Sequence, residues 1–246
     1  QKFGSWMERL RDAFALSRAR KLTRGLPPGA SILDVGCGDG RFLAACAKTA
    51  TVSLNGIELP GPAAERASRL PGARIHQGSL GEVELPNAAF DLVTLTHVYE
   101  HLRAPGDAVR TLARIVRPGG TLYLAYPNGT SWQARWFGGK WFHLDPPRHL
   151  SLVAPHALVQ TLADLGFTKV DESHLSWEQN IYGWIQSVLN CLPGKRNWLY
   201  ECLKRNRAYL ADSGVTFRAL QFAGAALLLV PAVMIDLLAA VFRRGA

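Results

Sequence analysis

Two stretches of this 246-residue chain gather residue types that do chemistry. The first is LDVGCGDGRF (Leu33–Phe42), where Asp34 stands two residues ahead of a run of alternating glycines. The second is WFHLDPPRHLSL (Trp141–Leu152), where His143, Asp145, Arg148 and His149 surround a Pro-Pro pair. Glycines let a turn take positive φ and let a ligand approach the backbone closely. Histidine takes a proton near neutral pH, and arginine grips carboxylate or phosphate with a planar fork.

In the first stretch Gly36, Gly38 and Gly40 follow a predicted strand and precede a predicted helix, the setting of a nucleotide-type site. The dinucleotide pattern G-x-G-x-x-G does not fit, because the third glycine comes one residue early and Arg41 fills its place. Asp34 sets a carboxylate at the strand end, which disfavours a pyrophosphate and suits an ammonium. The next strand closes on Glu58, whose carboxylate can accept both hydroxyls of a ribose. A nucleoside with a cationic tail satisfies all three features, and that ligand is S-adenosylmethionine (SAM).

Such a site needs a scaffold, and the hydrophobic pattern supplies one. Residues 5–24 read as an amphipathic helix ended by GLPPG (Gly25–Gly29). SILDVGCGDG, TVSLNGIEL, ARIHQGSL, FDLVTLTHV and TLYLAYPN read as strands. RFLAACAK, PAAERASRL and PGDAVRTLARIV read as helices between them. Strands alternating with helices imply a parallel sheet covered on both faces. Beyond residue 128 the rhythm changes. Residues 129–150 are rich in Trp, Gly and Pro, Ala154–Phe167 reads as a helix, TKVDESHL as a strand, and residues 180–210 as helix broken at LPGK.

The segments ILDVGCGDGRFL, GIEL, GSL, FDLVTLTHVYEHL and RIVRPGGTLYLAYPN resemble, in order and spacing, the successive motifs of class I SAM-dependent methyltransferases. The resemblance covers about 100 residues. It implies a Rossmann-like α/β fold with a mostly parallel seven-stranded sheet and helices on both faces, plus an N-terminal helix and a C-terminal helical extension. It also implies SAM as cofactor, with Asp34, Gly36, Cys37 and Gly38 around its amino-acid tail. Glu58 and Leu59 fall at the ribose, Ser79 and Leu80 at the adenine, and Thr96 and His97 face the reaction centre. Many relatives carry Asp where Ser79 stands; serine accepts a hydrogen bond without a charge, and the cofactor is then held less tightly.

HVYEH (His97–His101) matches the inverted zinc-protease pattern H-x-x-E-H. That site needs its histidines on one helix, whereas His97 ends a predicted strand. Glu100 and His101 are expected to cap the short helix after that strand. Likeness to quinone-biosynthesis O-methyltransferases implies a divalent ion beside His97, Glu100 and His101 as an alternative, which His97 in place of a glutamate disfavours, and no metal is assigned.

The segment from FGGKWFHLDPPRHL to LADLGF resembles methyltransferases akin to the ubiquinone O-methyltransferases, many of them encoded beside surface-glycan genes. The implied reaction is methyl transfer to a hydroxyl, which needs a base. His149 and His143 are the candidates, with Asp145 to orient a histidine. Tyr99, Trp141 and Arg148 are candidates for the acceptor, and Trp136 and Phe142 for excluding water. A lid held shut by an Asp145–Arg148 pair is the plainer alternative.

Charge and composition bear on partners. Lys and Arg number 28 against 19 Asp and Glu, giving a net charge of +9. The cations crowd into Lys2, Arg9, Arg11, Arg18, Arg20, Lys21 and Arg24, and again into Lys195, Arg196, Lys204, Arg205 and Arg207. An anionic partner fits this balance, although solvated helix faces carry such charge too. No recognised nucleic-acid motif is present. Cys37, Cys46, Cys191 and Cys202 form no C-x-x-C, so a disulfide framework is not indicated and a reducing, cytoplasmic setting is expected.

The apolar stretch Phe222–Phe242, with Arg218 before it and Arg243-Arg244 after it, is long enough to cross a bilayer. Pro231 and Asp236 argue against a simple span and favour an interfacial helix at the inner face of the membrane, a helix docked on the domain, or a homodimer contact. The expected division is an N-terminal basic helix (1–28), a SAM-binding domain (29–178) with an acceptor segment (129–153), and a helical extension (179–246). The expected activity is methylation of a hydroxyl on an amphiphilic or lipid-linked acceptor, of the quinone- or glycan-precursor type. The alternatives are methylation of a soluble small molecule or an amine, and a non-catalytic SAM-binding protein at the membrane.

Overall fold

The structure, a computed structural model, describes residues 4–211 and 213–246, so Lys2 of the basic group lies outside the described residues. In chain order the elements are α1 (Ser5–Leu22), β1 (Ala30–Val35), α2 (Arg41–Ala47), β2 (Val52–Glu58), α3 (Pro62–Ala67), β3 (Ala73–Gln77), β4 (Phe90–Thr96), α4 (Pro105–Ile115) and β5 (Val116–Ala125). There follow α5 (Trp132–Phe137), α6 (Pro155–Asp164), α7 (Asn180–Leu189), α8 (Trp198–Leu203), α9 (Arg207–Leu210) and α10 (Val215–Val241). The chain forms two compact units. The sheet unit holds Leu10–Tyr126 with Leu158–Thr168; the helical unit holds Pro127–Ala157 and the described residues of Lys169–Ala246, with residues 4–9.

Among the described residues the sheet has five strands in the order β3-β2-β1-β4-β5, every pair parallel. The expectation of seven strands is therefore corrected to five. TKVDESHL, expected as a strand, has no regular structure, and Val170 within it is 95% exposed. The reason lies in its alternation. One face would carry Thr168, Val170, Glu172 and His174, the other Lys169, Asp171, Ser173 and Leu175, so neither face offers an apolar surface to bury.

β1, β2 and β4, at the middle of the sheet, carry runs of buried residues, as strands covered on both faces must. Leu33, Val35, Val93 and Leu95 pack on one face with Leu112 and Ile115 of α4. Ile32, Leu54 and Leu92 pack on the other with Ala15 and Ala19 of α1 and Leu43 and Cys46 of α2. The expected fifth strand, TLYLAYPN, begins earlier, at Val116, because the register shifts between Phe90 and Leu92 and lets the RPGG turn bulge out. Strand order reverses between β1 and β4, and the crevice at the carboxyl ends of such a pair is where parallel α/β sheets bind ligands.

Candidate active site

In the sheet unit the end of β1 delivers Asp34 to that crevice. Its side chain is buried beside β4, where Thr94, its register partner, donates its hydroxyl to Oδ1 at 2.6 Å. Burial pushes the carboxyl up to about 7; the Thr94 hydrogen bond and the Arg18 charge oppose this, and Glu58 adds to it. The acid thus sits poised between its two forms, and a cation arriving beside it favours the charged one.

The turn that follows takes left-handed backbone at Gly36 (φ 70°), Gly38 (φ 58°) and Gly40 (φ 79°). A Cβ on Gly36 would meet Val98 Cγ2 at 2.3 Å, so that position admits no side chain. A Cβ on Gly38 would meet nothing within 4 Å, which leaves open space above the turn for a ligand. Glu58 Oε2 accepts the Gly38 N–H at 2.6 Å, and Oε1 accepts from Leu59 N at 3.1 Å. This ties the end of β2 to the glycine turn. Cys37 contributes backbone only. Its thiol is pushed up to about 12, chiefly by burial, and it packs where a Cβ on Gly56 would touch Sγ at 2.6 Å. A buried acid, a second carboxylate and an open glycine cradle suit the ammonium and diol of SAM, so the residues present fit that cofactor.

At the next strand end Ser79 is engaged by a residue that sequence reasoning missed. Glu82 Oε2 accepts from Ser79 N at 2.9 Å, and Glu82 is held below the usual carboxylate range chiefly by that N–H. The signal was present: S-x-x-E spacing lets a carboxylate reach back to the serine N–H, as it does in a capping box. Leu80 is buried below it. At the end of β4, Thr96 leads into His97, which takes a left-handed φ of 55° and sets Nδ1 3.4 Å from Glu100 Oε1. Glu100 is buried, and Tyr99–His101 form one 3-10 turn. The histidines of H-x-x-E-H therefore do not share an α-helix. Tyr99 is buried with its ring 5.7 Å from that of Tyr126.

In the helical unit the segment Trp141–His149 is held from within by α7. Phe142 N donates to Ser187 Oγ at 2.9 Å, Asn190 Nδ2 donates to Lys140 O at 3.1 Å, and Trp141 Nε1 donates to Gln133 Oε1 at 3.3 Å. Gln133 in turn donates to Asn180 O at 2.9 Å. Asn180, Gly183, Ser187 and the C-cap Asn190 recur at helical spacing, a stripe of polar and small residues along α7. Gly183 must stay small, because a Cβ there would meet Gln133 Oε1 at 2.6 Å and His143 Nε2 at 2.7 Å. Sequence reasoning missed this stripe, although its spacing is visible.

His143 is therefore enclosed. It is buried, edge-on to Phe142 at 4.9 Å and to Trp141 at 5.7 Å. Trp141 is itself fully buried, whereas Trp136 is 61% exposed and stacks on Trp132. Asp145 takes a left-handed φ of 33°, and a cis Pro146-Pro147 bond follows. The Asp145 carboxylate pairs with Arg148. The ring of His149 is held instead by a backbone atom: its Nδ1 lies 2.6 Å from the carbonyl oxygen of His143. A carbonyl can only accept, so Nδ1 carries a proton and donates it there.

Comparison with known proteins gives the family and the fold. The family model described as "Methyltransferase domain" matches residues 6–172. An O-methyltransferase of Pyrenophora dematioidea is 34% identical over 105 residues, covering 40% of this chain and 39% of its own. A probable S-adenosylmethionine-dependent methyltransferase of Mycobacterium tuberculosis is 31% identical over 141 residues, covering 56% of this chain and 49% of its own. The match thus spans half or less of each of these relatives. Among solved structures, the YcgJ protein of Bacillus subtilis superposes with a TM-score of 0.55 at 18% identity, covering 84% of this chain and 87% of its own. The [4+2]-cyclase SpnF superposes with a TM-score of 0.58 at 20% identity, covering 92% and 76%. At such identities the likeness shows the fold alone, and the cyclase illustrates that one fold hosts more than one chemistry.

Proposed function

We propose, on the premise that this chain belongs to the methyltransferase-domain family and takes SAM as its cofactor, that it transfers a methyl group to a hydroxyl of an amphiphilic or lipid-linked acceptor of the quinone- or glycan-precursor type. Asp34 and the Gly36–Gly38 turn hold the cationic tail, and Glu58 holds the ribose. When bound, the cofactor supplies a methyl group on a sulfonium, already activated for displacement. What remains for the protein is to aim a nucleophile and accept its proton.

The observation that carries the hydroxyl reading is the 2.6 Å approach of His149 Nδ1 to the His143 carbonyl. It fixes the tautomer in which Nε2 accepts the hydroxyl proton as the oxygen–carbon bond forms. His143, enclosed between aromatic rings, acts through its backbone. Arg148, steadied by Asp145, presents a cation to a phosphate or carboxylate on the acceptor, and the exposed ring of Trp136 offers an apolar face. The amphiphilic class is supported by the apolar outer face of α10, and the hydroxyl chemistry by likeness to an O-methyltransferase.

The test is transfer of labelled methyl from SAM to lipid extracts and to phenolic and sugar precursors. Label on an oxygen of a lipid-extractable product is expected. Label only on nitrogen, or only on water-soluble products, contradicts the reading.

A further inference from the structure

Helix α10 is built the wrong way round for water. Its inner stripe, Gln221, Ala232, Asp236 and Ala239, is buried, and it includes the only carboxylate between Val215 and Val241. Asp236 is 0% exposed and accepts from Trp184 Nε1 of α7 at 3.3 Å. The outer face is apolar and open: Leu227 is 78% exposed, Val241 77% and Val230 67%, with Leu229, Met234 and Leu238 more than half exposed. The covered side holds Gln221 and Asp236 among Ala225, Leu228 and Ile235, and the open side is hydrocarbon where a helix packed on a domain in water carries polar side chains. Exposed cations stand at both ends: Arg205, Arg207 and Arg218 towards its start, Arg243 and Arg244 after its end.

We propose that the outer face of α10 docks in the plane of an anionic lipid surface, with its side chains at the acyl boundary and the flanking arginines on the headgroups. Two observations choose this occupant. A second copy of the chain is disfavoured by charge. Pairing α10 with itself antiparallel brings Arg218 against Arg243 and Arg244, and parallel pairing brings each group against its twin, so either arrangement sets like charges together. A bilayer span is disfavoured by packing, because α10 is seated on its own unit from end to end. Trp198 packs on Phe217 and Phe222, Leu189 closes on Gly224, Trp184 bonds Asp236, and Trp132 packs on Phe242. A span would strip these contacts and expose a carboxylate to hydrocarbon.

The docking surface is independent of which hydroxyl is methylated, and its test reads lipid partition without turnover. The full chain is floated with phosphatidylcholine vesicles, with and without phosphatidylglycerol. It is expected to rise with the anionic vesicles and to be released by salt. Leu227→Glu/Val230→Glu is expected to lower the bound fraction by about tenfold or more, from the loss of two aliphatic insertions, with SAM affinity and circular dichroism unchanged. Arg207→Gln/Arg243→Gln is expected to weaken only the anionic component. A wild-type chain that stays with neither vesicle type overturns the proposal. So does a wild-type chain that forms a concentration-dependent dimer abolished by the Leu227→Glu/Val230→Glu change while vesicle binding is absent.

Discussion

Two buried carboxylates, one in each unit, show how the same group becomes a site in one place and a structural joint in another. Asp34 ends a strand, borders a left-handed glycine turn with open space at Gly38, and has Thr94, Glu58 and Arg18 around it. Asp236 lies in a helix seam, with Trp184 and Asn180 beside it. The void next to that seam is apolar and about 40 Å³, lined by Trp184, Ile185, Val188, Leu228, Pro231, Ala232 and Ile235, too small for an organic ligand. Burial raises both acids, Asp34 to about 7 and Asp236 to about 6. Access separates them: only Asp34 sits where a cation can come to relieve the cost of its burial.

The strongest way to break this contrast is to close the cradle. Gly36→Ala places a Cβ 2.3 Å from Val98 Cγ2 on left-handed backbone. A loss of about 2–4 kcal/mol in denaturant melts is expected, together with loss of SAM binding in calorimetry. Next comes Glu58→Gln, which weakens the acceptor of Gly38 N–H and of the ribose; SAM affinity should fall about 10–100-fold with stability little changed. A smaller effect is set by pH. With its ligand-free value near 7, Asp34 must shed a proton to meet the cationic tail below that pH. SAM affinity should therefore be flat above pH 7 and fall about tenfold per unit below it. Thr94→Val, which removes a hydrogen bond to the charged form, should move that break upward. The smallest effect is expected at the joint. The folded value of Asp236, about 6, exceeds the ordinary 3.8, so its burial costs stability progressively as pH rises from about 4 to 6 and fully above that. Asp236→Asn should raise the melting temperature by a few degrees at pH 8, flatten that part of the pH profile, and leave SAM affinity untouched.

The sheet unit was legible in the sequence wherever local signals coincide. Ile32, Leu33 and Val35 make a fully buried strand, and three glycines after it demand a turn. Asp34 and Glu58 could be read as ligand groups because strand ends in a parallel sheet have a fixed place. That the sheet stops at five strands among the described residues was not legible, because a family pattern says nothing of whether a segment such as TKVDESHL has an apolar face to bury. The helical unit was less readable for a different reason. His149 stood out by its type, but its partner is the carbonyl of His143, and a backbone oxygen leaves no mark in the sequence. The stripe Asn180, Gly183, Ser187 and Asn190 has a clear spacing, yet only the structure shows that it grips residues 140–142. In α10 the length and apolarity were plain, and which face Asp236 occupies was not.

The proposed transfer of a hydroxyl proton to Nε2 of His149 is met head-on by the turnover of His149→Gln at saturating SAM, using whichever hydroxyl acceptor the labelled screen yields, with SAM affinity recorded in parallel. A fall in kcat of about 10²–10⁴ with an unchanged Kd for SAM is expected. Wild-type turnover would contradict the assignment.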